Sequence, residues 1–119
     1  MTGGCAMRED GKIDYVEMPA GELPALKDFY RKAFGWAFTD YGPSYSAYSE
    51  GLDGGFDSDA ASGLRGPVVV LYAHDLEAML AKVEAAGGRI VRPIFEFPSG
   101  RRFHFTDPSG NELAVWSAD

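Results

Sequence analysis

One pattern occurs twice along this chain, and it limits the possible folds more than any other feature. Ala20, Leu23, Leu26, Tyr30, Ala33 and Gly35 are matched, at a constant offset of 53 residues, by Ala73, Leu76, Met79, Val83, Ala86 and Gly88. In both copies the apolar residues recur at the spacing of one helix face, and glycine closes the run. Four of the six pairs are identities, and the other two exchange one apolar residue for another. A duplicated unit of this size has to satisfy one set of packing rules twice.

The surroundings of each helix repeat as well. Residues 13–18 have strand composition and stop at Pro19; residues 22–34 carry the first helix, and Gly35 ends it. Short strands are expected at 36–40, 44–49 and, weakened by glycine, 52–56. A Gly/Ser/Asp-rich connector covers 57–66. Then a β-branched run at 68–72 opens the second copy, followed by a helix at 76–86 and strands at 89–97, 102–106 and 112–117. Asp107-Pro108-Ser109-Gly110 is a turn that joins the last two strands antiparallel. The first module therefore spans 12–57 and the second 67–117, together one domain; residues 1–11 lack apolar periodicity and are expected to be disordered. A helix covers only one face of a sheet, so the other faces need partners. The expected class is α+β, with two strand-helix-three-strand modules forming a curved mixed sheet around a cavity lined by alternate strand residues.

Composition excludes several function classes. The chain has 11 Lys+Arg against 18 Asp+Glu, a net charge of −7, and no basic cluster, which argues against nucleic acid and anionic membranes as partners. No apolar run approaches the roughly 20 residues of a membrane span, and the start does not read as a signal peptide. The single cysteine, Cys5, cannot form an internal disulfide, and a reducing cytoplasm is the default location.

Particular residues add a family resemblance. Glu17-Met18-Pro19-Ala20, the run Phe29-Tyr30-Arg31-Lys32-Ala33-Phe34-Gly35-Trp36, Asp75-Leu76 with Gly87-Gly88, and Asp107-Pro108-Ser109-Gly110-Asn111 together resemble the vicinal oxygen chelate superfamily. That superfamily includes glyoxalase I, bleomycin-resistance proteins and extradiol dioxygenases, and the resemblance covers about residues 12–117. It implies the fold and says little of the chemistry, because one fold hosts many activities. It also implies a homodimer. On physical grounds, Phe29, Tyr30 and Phe34 are expected to pack on the sheet, and Trp36 to open the next strand.

Metal-dependent relatives use His, Gln or Glu side chains on the first and last strands of each module. Counting along the shared motifs, the resemblance places the first-strand positions at Tyr15 and Val68, the last-strand carboxylate at Ala114, and the remaining one near Gly54-Gly55-Phe56. Valine, alanine and glycine side chains cannot bind a cation, and tyrosine is a rare ligand for a divalent one. No metal and no other cofactor is expected. A His104–Glu112 metal pair offers too few ligands for tight binding. His74, at a strand-to-helix junction, reads as an exposed residue.

Strand alternation then nominates an organic-ligand site. On 102–106, Phe103 and Phe105 would meet the helix, leaving Arg102 and His104 on the other face. The same parity brings Glu112 and Trp116 from the last strand, and Tyr15 and Glu17 from the first, to the cavity side. His104, oriented by Glu112, suits acid/base catalysis near neutral pH. In extradiol dioxygenase relatives its position carries a side chain used in proton handling. Arg102 suits an anionic group, and Tyr15 and Trp116 offer flat apolar surface. Glu17 and Arg102 equally suit an internal ion pair, and Trp116 a core position. The leading function is a glyoxalase/bleomycin-resistance-like protein that binds a small organic molecule without metal. The alternatives are a metal-free lyase, isomerase or hydrolase using His104, and a glyoxalase- or dioxygenase-type metalloenzyme.

Overall fold

The computed structural model describes residues 8–59 and 63–118. Two compact units emerge: Tyr15–Val68, and Arg8–Asp14 together with the chain from Val69 onward. The divisions fall inside the strands β1 (Ile13–Pro19) and β5 (Val68–Tyr72). The first unit continues through α1 (Leu23–Phe34), β2 (Thr39–Asp40), β3 (Tyr45–Glu50) and β4 (Leu52–Asp57). Its sheet order is β2-β3-β4-β1, with β1 parallel to β4 and the other pairs antiparallel. The second unit repeats this order of elements with β5, α2 (Leu76–Ala85), β6 (Arg89–Phe97), β7 (Gly100–Thr106) and β8 (Glu112–Ser117). Its sheet order is β5-β8-β7-β6, and only β5 and β8 run parallel. The class is α+β with mixed strand pairing, and the strand-helix-three-strand order occurs twice, as the sequence pattern predicts.

Local chemistry sets the ends of these elements. Pro24 lies in the first turn of α1, where its missing N–H costs nothing. Gly35 ends the helix at φ 72°, a left-handed conformation that glycine adopts without penalty, and its N–H reaches the carbonyl of Arg31 at 3.0 Å. At α2 the Asp75 carboxylate caps the helix by accepting from Ala78 N–H at 3.0 Å. After β7, Asp107 organises the predicted turn. Its carboxylate accepts from Ser109 N, Asn111 N and Asn111 Nδ2, each at 2.9 Å. Those bonds, the Asn111 side chain first, hold the Asp107 carboxyl below the usual aspartate range.

Each helix packs on one sheet face. In the second unit Phe103, Phe105 and Val115 meet Leu76 and Ala73, with Met79, Leu80 and Val83 around them. Burying Leu76 completely is worth about 2–3 kcal/mol. In the first unit Leu23, Tyr48 and Phe56 form the core with Ala20, and Leu26, Tyr30, Trp36 and Phe38 pack against it. Among the described residues, no helix is long and apolar enough to cross a membrane.

Three expectations change. Phe29 and Phe34 do not pack on the sheet; they are 56% and 63% exposed, and their rings lie against Tyr30 and each other. Trp36 takes that place, with its ring stacked 4.7 Å from Tyr30. For the same reason the strand expected at 36–40 shrinks to Thr39–Asp40, because Trp36 and Phe38 fill the core instead of pairing. Of the eleven opening residues, 1–7 lie outside the described residues, and 8–11 are held in place. Gly11 N–H bonds to Tyr72 O at 2.8 Å, and Asp10 accepts from His74 N–H at 2.6 Å.

Candidate functional site

The face of the second sheet opposite α2 collects the predicted side chains of that unit. Cross-strand register sets Arg92 of β6 beside His104 of β7 and Ala114 of β8; the next row holds Phe95, Arg102 and Trp116. Arg92 and Phe95 share this face although they stand an odd three positions apart, because register shifts flank Arg92 in β6. Such a bulge, beside Pro93, hides the parity of β6 from the sequence. For that reason Arg92 and Phe95 are missing from the sequence-based set.

His104 and Glu112 are brought together. Nδ1 of His104 lies 3.0 Å from Glu112 Oε2, an arrangement that assigns the Nδ1 proton to the carboxylate contact. The imidazole is 1% exposed, its Nε2 is buried, and no hydrogen-bond partner for that atom is present among the described residues. The Phe95 ring lies nearly parallel to the imidazole at 5.9 Å. The guanidinium carbons of Arg92 and Arg102 stand 4.0 and 5.6 Å from the centre of that same Phe95 ring. Burial, and after it the charge of Arg102, holds the His104 pKa below the ordinary 6.5; the Glu112 hydrogen bond opposes them.

A pH effect with a fixed sign follows. A histidine harder to protonate in the folded state than in the unfolded state contributes stability that is complete above 6.5 and is lost as pH falls through the folded value. Denaturation midpoints should therefore drop between about pH 7 and pH 5 more steeply for the native chain than for His104→Gln. Identical slopes would remove His104 as the cause.

Trp116 is occupied by its own chain. Its Nε1–H donates to Asp14 Oδ2 at 2.9 Å, and the Arg8 guanidinium stands 5.0 Å over the ring. Tyr72 and Phe97 pack at 5.3 and 6.1 Å. A separate depression of about 460 Å³ at the β6–β7 turn is lined by Phe97, Pro98 and Arg101 among others; it contains none of the predicted site residues. His74 is exposed, as expected.

In the first unit Tyr15 and Glu17 are linked through a residue that the sequence leaves undecided. Tyr45 O–H donates to Glu17 Oε2 at 2.9 Å, and the Tyr15 and Tyr45 hydroxyls are 2.5 Å apart. Glu17 is 4% exposed. Burial, then the Glu17 charge, pushes the Tyr45 phenol far above its usual 10.0. Gly55 makes this possible: a Cβ there would run into the Tyr45 ring and hydroxyl. On the helix side Tyr48 crosses Gly54 in the same way to donate to Val16 O at 3.0 Å, and burial pushes its phenol up to about 12.

The positions assigned to metal ligands by resemblance do not fit a cation. Val68 and Ala114 are buried at 4% and 0% exposure and have no donor atom, and Gly54 and Gly55 have no side chain. The Tyr15 hydroxyl is engaged with Tyr45. Among the described residues, no three His, Cys, Asp or Glu side chains are grouped to hold an ion.

The profile of the Glyoxalase/Bleomycin resistance protein/Dioxygenase superfamily matches residues 12–115. The chain belongs to that superfamily. A Mycobacterium tuberculosis protein provisionally named a glyoxylase, CFP32, is 25% identical to this superfamily member over 130 residues, covering 92% of this chain and 46% of its own length. The chain thus spans about half the length of the curated relatives it matches. Among solved structures, a glyoxalase/bleomycin resistance protein/dioxygenase superfamily member from Vibrio splendidus 12B01 superposes with a TM-score of 0.70 at 13% identity, covering 89% of this chain and 97% of that one. The Mn(II)-bound glyoxalase from Novosphingobium aromaticivorans superposes at 0.65 with 21% identity, covering 94% of this chain and 40% of that one. These likenesses show the fold.

Proposed function

We propose that this superfamily member binds a small organic molecule without a metal ion, on the sheet face that carries Arg92, Phe95, Arg102 and His104. The observation that carries the reading is the buried Nε2 of His104, a strong hydrogen-bonding atom without a protein partner among the described residues. Buried polar atoms in native proteins are almost always satisfied, and a bound molecule or ordered water does so here. The lack of side-chain donor atoms at Val68, Ala114 and Gly54-Gly55, with the Tyr15 hydroxyl engaged by Tyr45, supports the metal-free part.

The His104–Glu112 pair supports a second reading, a metal-free lyase or isomerase with His104 as the acid/base. Thermal shift with a panel of small aromatic compounds, run in chelator, tests the first. At least one chemical class should raise the melting temperature with chelator present; stabilisation seen only after adding a divalent metal overturns the reading. Once such a compound is known, His104→Ala separates binder from enzyme. Binding should weaken modestly, whereas turnover by an essential acid/base would fall by about 100-fold or more.

A further inference from the structure

We propose that Arg8 is a latch on the ligand face of the second unit: it closes over the Trp116 ring and swings off without undoing the segment that carries it. The inference rests on the metal-free binding reading above and adds a control of access to that face. Trp116 stands in one cross-strand row with Arg102 and Phe95, on the side of the sheet away from α2. The guanidinium carbon of Arg8 lies 5.0 Å from the centre of its ring, so the chain itself covers the ring.

The segment that carries Arg8 has a firm part and a loose part. Gly11 N–H donates to Tyr72 O at 2.8 Å, Tyr72 N–H donates back to Lys12 O at 3.2 Å, and Asp10 accepts from His74 N–H at 2.6 Å. Lys12 N–H reaches Glu9 O at 3.2 Å and closes a turn in which Gly11 takes φ 75°, a left-handed value that suits glycine. Hydrogen bonds therefore fix Asp10, Gly11 and Lys12 to the end of β5. Arg8 lies outside that anchored stretch. Its side chain is 40% exposed, and Nε reaches Asp14 Oδ2 only at 3.4 Å.

Opening leaves no buried polar group without a partner. Asp14 Oδ2 also accepts from Trp116 Nε1–H at 2.9 Å, and that bond survives when Arg8 leaves. The guanidinium passes into water, which satisfies its donors. Tyr72 and Phe97, 5.3 and 6.1 Å from the Trp116 ring, keep the ring in place. What holds the latch shut is a half-exposed ion pair and a cation–π contact, each a modest attraction, and salt screens the ionic part. With Arg8 away, Trp116 adds a flat apolar ring to the row of Phe95 and Arg102.

Acrylamide quenching of tryptophan fluorescence in the full chain tests the latch without any ligand. Trp36, stacked on Tyr30 in the first unit, adds the same background to every variant. At low salt Arg8→Gln should raise the quenching of Trp116 about two- to threefold. Sodium chloride at about 0.5 M should move the native chain toward that value and leave Arg8→Gln unchanged. Urea midpoints of the two chains should agree, because the bonds of Asp10, Gly11 and Lys12 remain. Equal quenching of both chains at low salt would overturn the latch, and a lower urea midpoint with unchanged quenching would show a structural tie in its place. The panel of small aromatic compounds in chelator reads the control of access separately: a compound that stabilises the native chain should stabilise Arg8→Gln more. Equal stabilisation of a chain whose ring has opened overturns that control and leaves the binding reading standing. A panel that stabilises neither chain overturns the binding reading, and the control of access with it, while the quenching still decides whether Arg8 latches the ring.

Discussion

Gly54→Ala is expected to cost about 3 kcal/mol or more of folding stability, and Gly55→Ala about 1–2 kcal/mol. The difference lies in what each new methyl group meets. At Gly54 it would run into the backbone carbonyl of Val16 as well as the Tyr48 ring, and a paired strand cannot step aside. At Gly55 it would meet the ring and hydroxyl of Tyr45, a side chain that can swing away at the cost of its bond to Glu17. Denaturant midpoints of the two variants check this. Equal losses, or a larger loss at Gly55, would show that the tyrosines and not the β1–β4 pairing limit the space. The same geometry bears on the metal question: no side chain long enough to ligate a cation fits at either glycine without displacing a tyrosine.

Phe103→Ala should lose about 3–5 kcal/mol, since Phe103 is fully buried between the second sheet and α2. Phe103→Leu should recover a large part of it. Its neighbour His104 points to the opposite face, so the loss at Phe103 is a loss of stability, and ligand affinity measured on the remaining folded fraction should change little. Urea denaturation with ligand titration in parallel distinguishes the two. A Phe103→Ala variant of near-native stability would mean that α2 does not pack as described.

The alternation of side chains explains what was legible. On β7 and β8, Phe103, Phe105 and Val115 alternate with Arg102, His104 and Trp116, and the apolar set lies against α2. A strand with one apolar and one polar face fixes its own register. β1 behaves alike: Met18 faces the core and Glu17 meets Tyr45 on the other side. β3 does not, because Tyr45 and Tyr48 put aromatic rings on both faces, each over a glycine of β4 that offers no pattern of its own. In β6 the irregular register around Arg92 breaks the period of two, so Arg92 and Phe95 could not be placed by counting. Residues 36–40 alternate as a strand would, yet Trp36 and Phe38 spend that alternation on the helix-side core. Phe29 and Phe34 mislead for the opposite reason: large apolar residues of α1 stay exposed where Tyr30 and Trp36 fill the space against the sheet.

The metal-free assignment is tested most directly by elemental metal content per chain, on untagged protein purified without chelator. Divalent metal at background level is the predicted result, and it directs work to ligands of the Arg92–Arg102–His104 face. A stoichiometric divalent metal would contradict the assignment, and His104 and Glu112 would be the first side chains to replace in search of its ligands.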